Sequence, residues 1–238
     1  MPRTAAASTR CLRLSLALAA VVTLLVAAGW LAPARAVTVT IQKGVDQGAA
    51  NDPLGEVKTA LDQVITVFKD RQLPLAERRR KLRDLAEQHF DFAQMARSAL
   101  GYHWRNLTPD QRGQFVPLFA GFIEDAYLSK LQEYTVEKVQ QEMRTTNVNF
   151  TGQKTLAPGY VEVQSDVILS NRPNPIHVNY LLKQEPGGWK IYDVTIDAIS
   201  LIANYRNQFN RVINNDGYPK LVAELEAKRR ELGGTLGK

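Results

Sequence analysis

The hydrophobic periodicity of the chain changes twice, and these changes limit the possible folds more than any other feature. Apolar residues recur every three or four positions as far as about residue 136, which is typical of amphipathic helices. They then alternate with polar residues from Val161 to Leu169 and from Ile176 to Leu182, which is typical of half-buried strands. The helical period returns at Leu201. Helices, then hairpin-linked strands, then helices predict an α+β fold with an antiparallel meander.

Several local signals mark where these elements begin and end. Asp52 and Pro53 open the first predicted helix, and Pro74 opens the second. Thr108 and Gln111 form a capping box before the longest helix, which we expect to run to about Tyr134 and to kink at Pro117. The predicted strands are those already described, one more before Phe150, and one from Trp189 to Ile199 after the hairpin signal Pro186-Gly187-Gly188.

The segment from Phe90 to Trp104 is predicted to contain a short helix with large apolar side chains. Asp91 is the expected N-cap, Gln94 completes a second capping box, and Gly101 suits a helix C-terminus. A helix this short is marginal in water and needs apolar surface to lie on. Two interpretations remain open: it is an ordinary core element, or it lines a cavity.

The N-terminus has the organisation of a secretory signal. Three arginines precede an apolar run from Leu14 to Gly29, and Ala34-Arg35-Ala36 is a cleavage signature. We predict cleavage before Val37, with an uncleaved membrane anchor as the alternative. The predicted divisions are the signal at 1–36, a flexible lead-in at 37–51, a folded domain at 52–232 and a disordered tail at 233–238.

Cleavage at this site changes the composition of the exported chain. Cys11 is the only cysteine and leaves with the signal, so the mature chain has no disulfide and no thiolate ligand. Four arginines leave as well, and 26 basic side chains against 24 acidic ones give a net charge of +2. This charge gives no support to nucleic-acid binding.

The sequence contains few residues in patterns that indicate catalysis. The three histidines lack a metal-binding spacing, and no nucleophile elbow or phosphate-binding loop is present. Asp193 and Asp197 are the pair to test as acid and base, but four positions along a strand place them about 13 Å apart. The favoured interpretation is that Asp193 accepts hydrogen bonds beside a sheet edge and Asp197 caps the following helix. The basic run 78–81 is predicted to be a solvated face, with contact to anionic lipid or an acidic partner as the alternative.

Three ordered blocks resemble the MlaC family of periplasmic phospholipid-binding proteins, also called the toluene-tolerance or ABC-transporter auxiliary family. The first is F-D-F-x-x-M-A-R-x-x-L-G-x-x-W at Phe90 to Trp104, followed by T-P-x-Q at Thr108. The second is W-x-x-Y-D-V at Trp189 to Val194, and the third is S-L-x-x-N-Y-R-x-x-F at Ser200 to Phe209. Family members usually carry glycine where this chain has Ala198.

The resemblance implies an NTF2-like curved antiparallel sheet covered by helices, with a small helical subdomain. It further implies a soluble periplasmic carrier that is not an enzyme, needs no cofactor and holds phospholipid as cargo. The implied partners are an inner-membrane ABC transporter complex with an MCE-domain subunit and an outer-membrane lipoprotein complex, and we expect a monomer. The alternatives are a hopanoid-associated carrier, a small-molecule enzyme on an NTF2-like cone, and a purely structural module.

A carrier of this kind needs a dry apolar pocket. Two acyl chains bury on the order of thirty methylenes, worth about 25 kcal/mol at roughly 0.8 kcal/mol each. The pocket must approach about 1,000 Å³. Each predicted lining residue could equally be ordinary core; they are Phe92, Met95, Leu100, Trp104, Phe119, Phe122, Tyr180, Leu182, Trp189, Ile191 and Tyr205. Arg97 and Arg206 are weaker candidates for headgroup phosphate contact, with structural salt bridges as the favoured alternative.

Overall fold

The computed structural model describes residues 52–70, 72–128, 146–169 and 173–234. The predicted signal, the lead-in and the expected end of the long helix near Tyr134 lie outside these residues. The first helices are α1 (Pro53–Lys69), α2 (Leu75–His89), α3 (Phe92–Leu100) and α4 (Pro109–Leu128), and a 3₁₀ turn (Gly101–Asn106) links α3 to α4. None of the helices in the described ranges has the length and apolarity needed to cross a bilayer.

The strands form one antiparallel meander in which neighbours in sequence are neighbours in the sheet. They are β1 (Thr146–Ala157), β2 (Tyr160–Leu169), β3 (Ile176–Glu185), β4 (Gly188–Ile196) and β5 (Ile199–Ser200). Helices α5 (Leu201–Asp216) and α6 (Tyr218–Gly234) complete the fold, and α6 includes the first two residues of the predicted tail. Register shifts occur in the β1–β2 and β3–β4 pairs, and such bulges bend a sheet. The predicted α+β class is confirmed.

The predicted caps are formed, with one difference at α3. Asp52 accepts from the backbone N–H of Leu54 at 3.1 Å, and Thr108 and Gln111 make both bonds of their capping box, at 3.2 and 2.9 Å. Asp91 accepts from the N–H of Gln94 at 2.8 Å, but its own N–H donates to Ile191 O at 2.9 Å instead of to Gln94. The start of α3 is therefore attached to β4.

The prediction that residues 78–81 form a solvated face is wrong for the first of them. Arg80 and Lys81 are exposed, but Arg78 is buried. Its guanidinium donates to Asp70 O at 2.7 Å, which satisfies a carbonyl at the end of α1. Arg78 thus joins α2 to α1.

The corner between β4 and α5 also differs from the prediction. Strand β4 ends at Ile196, three residues early, and Asp197 and Ala198 have φ of 45° and 67°. The cap of α5 is Ser200, which accepts from the N–H of Ala203 at 2.9 Å. Asp197 instead accepts from the N–H of His177 at 3.1 Å, so the prediction that it caps the helix is wrong.

Replacing Ala198 by glycine is expected to stabilise the fold by about 0.5–1 kcal/mol. The left-handed conformation costs an alanine about 1–2 kcal/mol, and the greater backbone entropy of an unfolded glycine offsets about 0.5–1 kcal/mol of the gain. Urea unfolding of Ala198→Gly against the native protein measures the difference. Ala223→Gly, at an exposed position inside α6, is the control and should lose about 1 kcal/mol. A loss at both positions would contradict the conformational argument.

Two hydrophobic clusters meet beside the start of α3. One joins the inner face of β2, β3 and β4 to α1 through Val57 and Leu61. The other joins α3, α4, α5 and α6 around aromatic side chains such as Phe119 and Phe209. Phe90 is half-buried and packs against both clusters. This junction is where the candidate site lies.

Candidate binding site: an apolar cavity between sheet and helices

An apolar cavity lies where the two clusters meet. Its volume is about 140 Å³, within about 1030 Å³ of unfilled space that includes its open mouth. The walls come from α1, α2, the starts of α3 and α5, the end of α4, and β3 and β4. The lining residues are Val57, Ala60, Leu61, Val64, Phe68, Leu82, Arg83, Leu85, Ala86, His89, Phe90, Phe92, Met95, Ile123, Glu124, Tyr127, Leu128, Tyr180, Ile191, Val194 and Leu201.

The cavity exists because two helices present small side chains towards the sheet. On α1, Val57, Ala60, Leu61 and Val64 follow the helical repeat and form one apolar stripe. Ala86 occupies the corresponding wall of α2. Alanine side chains reach less far than the leucines beside them, so space remains between the helices and the sheet.

The phenols of the wall are held in their neutral form. Burial raises the pKa of Tyr180 and the pKa of Tyr127 well above that of an ordinary tyrosine. The wall therefore presents no phenolate, and its aromatic surface can contact apolar groups.

The one histidine among the lining residues has both ring nitrogens paired with side chains of α1. His89 Nδ1 lies 2.6 Å from Glu56 Oε1, and its Nε2 lies 2.6 Å from Gln63 Oε1. Because both ring nitrogens have partners, His89 fixes α2 against α1. It is not available as a base towards the cavity.

A cluster of charged residues lies at the α4 side of the cavity. Arg83 Nε donates to Glu124 Oε2 at 2.8 Å, and its Nη2 lies 3.4 Å from Asp125 Oδ1. Arg229 of α6 donates to Asp125 Oδ2 at 3.1 Å. Gly121 permits this approach, because a Cβ there would lie 2.4 Å from the Arg229 guanidinium carbon. The cluster ties three helices together beside the wall.

Glu124→Gln is expected to change how stability depends on pH. Burial raises the pKa of Glu124 above its ordinary value of 4.5, although the hydrogen bond from Arg83 acts against this. A carboxyl with a raised folded pKa stabilises the fold most below its unfolded pKa, and that stabilisation is lost as pH rises through the folded pKa. The unfolding free energy of the variant minus that of the native protein should therefore increase between about pH 4 and pH 7.

Urea unfolding of both proteins at a series of pH values measures this difference. Subtracting the two curves cancels the titrations that they share. A difference that falls with rising pH would show that pairing with Arg83 outweighs burial.

The structure brings four of the predicted lining residues to the cavity. These are Phe92 and Met95 of α3, Tyr180 of β3 and Ile191 of β4. Leu182 and Trp189 belong to the sheet cluster away from it.

The other five predicted lining residues lie in or against the helical cluster: Leu100, Trp104, Phe119, Phe122 and Tyr205. Tyr205 makes edge contacts with Phe119 and Phe122, with ring centres 6.1 and 5.6 Å apart. The guanidinium carbon of Arg112 lies 5.6 Å from the centre of the Trp104 ring. None of these five lines the cavity.

Neither predicted headgroup arginine lies at the cavity. Arg206 Nε donates to Ser98 O at 2.7 Å and so joins α5 to α3. Arg97 is exposed on α3. Among the described residues neither forms an ion pair within 4 Å, so the favoured alternative of a structural salt bridge is not observed.

Sequence reasoning missed the contribution of α1 and α2 to the cavity, and above all Arg83. The apolar repeats of both helices were visible, but they predict burial, not adjacent empty space. The sequence pattern that could have indicated a cavity is a small residue within an apolar stripe of larger ones: Ala60 in α1 and Ala86 in α2.

The carboxyl pair is not arranged for acid–base chemistry. Asp193 is buried and accepts hydrogen bonds from Val194 N, Ser200 Oγ and Ile202 N, at 2.8, 2.5 and 3.1 Å. Neither Asp193 nor Asp197 lines the cavity. In the part of the chain that the structure describes, no three acidic, histidine or cysteine side chains come together as a metal site would require.

Comparison with known proteins places the chain among lipid-binding relatives. The model of the MlaC protein family matches residues 58–227. The intermembrane phospholipid transport system binding protein MlaC of Haemophilus influenzae is 22% identical over 130 residues, which cover 53% of this chain and 56% of that protein. The chain thus spans little more than half the length of that curated relative. A phospholipid-binding protein from Ralstonia solanacearum, solved in complex with a phospholipid, is 27% identical with a TM-score of 0.62, over 76% of this chain and 99% of that one.

Proposed function

The chain belongs to the MlaC family, and we propose from this premise that it is a carrier that holds a phospholipid by its acyl chains in the cavity between sheet and helices. The observation that carries the proposal is the apolar wall formed by α1, α2, α3 and the sheet. Binding is non-covalent, and no bond of the lipid is made or broken.

The energetics of acyl chains favour such a site. Each buried methylene is worth about 0.8 kcal/mol, so a bilayer releases a lipid only to surroundings of similar apolarity. Phe92, Met95, Tyr180 and Ile191 supply part of that surface. The stripe of α1 and apolar residues of α2 and α4 supply the rest. The tyrosines of the wall are neutral and His89 is paired with α1, so the charges of the wall are confined to the Arg83–Glu124 pair beside α4.

The proposed setting is the periplasm, reached by cleavage of the signal at 1–36. There the protein would carry phospholipid between an outer-membrane lipoprotein complex and an inner-membrane ABC transporter complex with an MCE-domain subunit. Support comes from the name of the Haemophilus influenzae relative, which places that protein in intermembrane phospholipid transport. A hopanoid cargo remains the alternative within the same family.

The experiment that tests the proposal is native mass spectrometry of protein purified from an exporting cell. We expect an adduct of phospholipid mass that disappears on delipidation and returns when phospholipid vesicles are added. Circular dichroism before and after delipidation checks that the fold persists. Folded, delipidated protein that fails to take up phospholipid would exclude the carrier function.

A further inference from the structure

Arg83 is the one arginine or lysine among the lining residues of the cavity. Its side chain is 41% exposed, whereas most of the wall around it is apolar and buried. A side chain that both lines a cavity and reaches solvent lies at the mouth. Arg83 therefore stands where an apolar interior meets water.

The guanidinium of Arg83 is held in place from one side. The carboxylates of Glu124 and Asp125, whose side chains are 7% and 10% exposed, bind its Nε and Nη2. Moving Arg83 away would leave Glu124 without this buried counterion, which is costly. Among the described residues, these bonds leave the Nη1 group of Arg83 without a protein acceptor. One edge of the guanidinium is thus held by carboxylates, and the other edge can bind a ligand.

A second guanidinium lies beside the first. Arg79, Arg83 and Glu87 are spaced four residues apart on α2 and so share one face. This spacing brings the two cations close, and burial together with the positive charge of Arg83 lowers the pKa of Arg79. The negative charge of Glu87, by contrast, helps to raise the pKa of Glu124. Along α2, Arg79 thus lies one turn before Arg83 and Glu87 lies one turn after it.

We propose that Arg83, fixed by Glu124 and Asp125, binds the phosphate of the phospholipid headgroup at the mouth of the cavity. This inference rests on the proposed function and names the group that recognises the polar end of its cargo. A guanidinium suits phosphate because its N–H groups match two phosphate oxygens, and such charge-assisted bonds are about twice as strong as neutral ones. The acyl chains then extend from the phosphate between α1, α2 and the sheet.

The test compares two lipids with the same acyl chains: phosphatidic acid and diacylglycerol, which lacks the phosphate. For the native protein we expect phosphatidic acid to bind at least tenfold more tightly, as a charged hydrogen bond of about 1.5–3 kcal/mol requires. Arg83→Gln alone leaves Glu124 buried without its partner and risks unfolding. The double variant Arg83→Gln/Glu124→Gln removes both charges together and should bind the two lipids with similar affinity.

The control is Arg80→Gln on the same helix, where an exposed arginine pairs with Glu77 at 3.7 Å. This variant should keep the native preference for phosphatidic acid over diacylglycerol. A double variant that also keeps the preference would overturn the role of Arg83, as would a native protein that binds both lipids equally. Inorganic phosphate that abolishes the preference at millimolar concentration would overturn it too, in favour of a site for free phosphate. A native protein that binds neither lipid would instead refute the carrier function itself.

Discussion

Ala86→Trp is expected to weaken phospholipid binding about a thousandfold while leaving the protein folded. Ala86 lines the cavity from α2 and is only half-buried, so a larger side chain can be accommodated by entering the empty space. An indole there would displace about five methylenes of an acyl chain, at about 0.8 kcal/mol each. A loss of about 4 kcal/mol corresponds to roughly a thousandfold in the dissociation constant. Phospholipid retained after purification, and rebinding from vesicles, measure the effect.

Two further variants make this result interpretable. Ala60→Trp fills the same cavity from α1 and should reproduce the loss, whereas Ala93→Trp adds the same side chain at an exposed position of α3. The Ala93 variant should bind phospholipid as the native protein does. If both cavity variants are folded and retain native amounts of lipid, the cargo occupies some other part of the molecule.

The sheet could be predicted well because its faces differ in solvation. Residues at alternate positions of β2, from Val161 to Leu169, are buried, and the same alternation from Ile176 to Leu182 marks β3. Strand β1 is different. It lies at the sheet edge and is mostly exposed beyond Phe150, so its sequence there lacks the alternation that marks its neighbours.

The lining of the cavity could not be predicted from the same patterns. A buried aromatic residue has the same sequence signature whether it faces a hollow or another ring. Phe119 and Tyr205 contact each other across α4 and α5, whereas Phe92, in an equally aromatic segment, faces the cavity. The difference depends on how helices distant in sequence pack together, which periodicity does not encode.

Contacts between distant residues also explain the errors at single positions. Arg78 stands in a run of four basic residues, yet it is buried because the end of α1 presents the carbonyl of Asp70 to it. Asp197 has the residue type of a helix cap, but the chain turns through a left-handed conformation there and Ser200 takes that role. Arg83 was overlooked for the same reason, because its carboxylate partners lie on α4.

Asp193→Ala is expected to destabilise the fold by about 3–5 kcal/mol, the largest effect we predict on stability. Its carboxylate accepts from Ser200 Oγ and from the backbone N–H groups of Val194 and Ile202, and so fixes the end of β4 to the start of α5. Hydrogen bonds to a charged group contribute about 1.5–3 kcal/mol each, and removing the acceptor leaves buried donors unpaired. Urea unfolding monitored by circular dichroism gives the change in free energy.

Asp193→Asn separates this structural role from the alternative of an acid–base enzyme. Its amide oxygen can still accept from the two backbone N–H groups, and its amide nitrogen can donate to Ser200 Oγ, so most of the stability should return. Burial raises the pKa of Asp193, which shows that the site disfavours the negative charge that the amide removes. The asparagine variant should therefore be folded and carry phospholipid like the native protein, because Asp193 does not line the cavity. A folded asparagine variant that has lost its function would mean that the carboxylate acts chemically, and the carrier mechanism would then have to give way to catalysis.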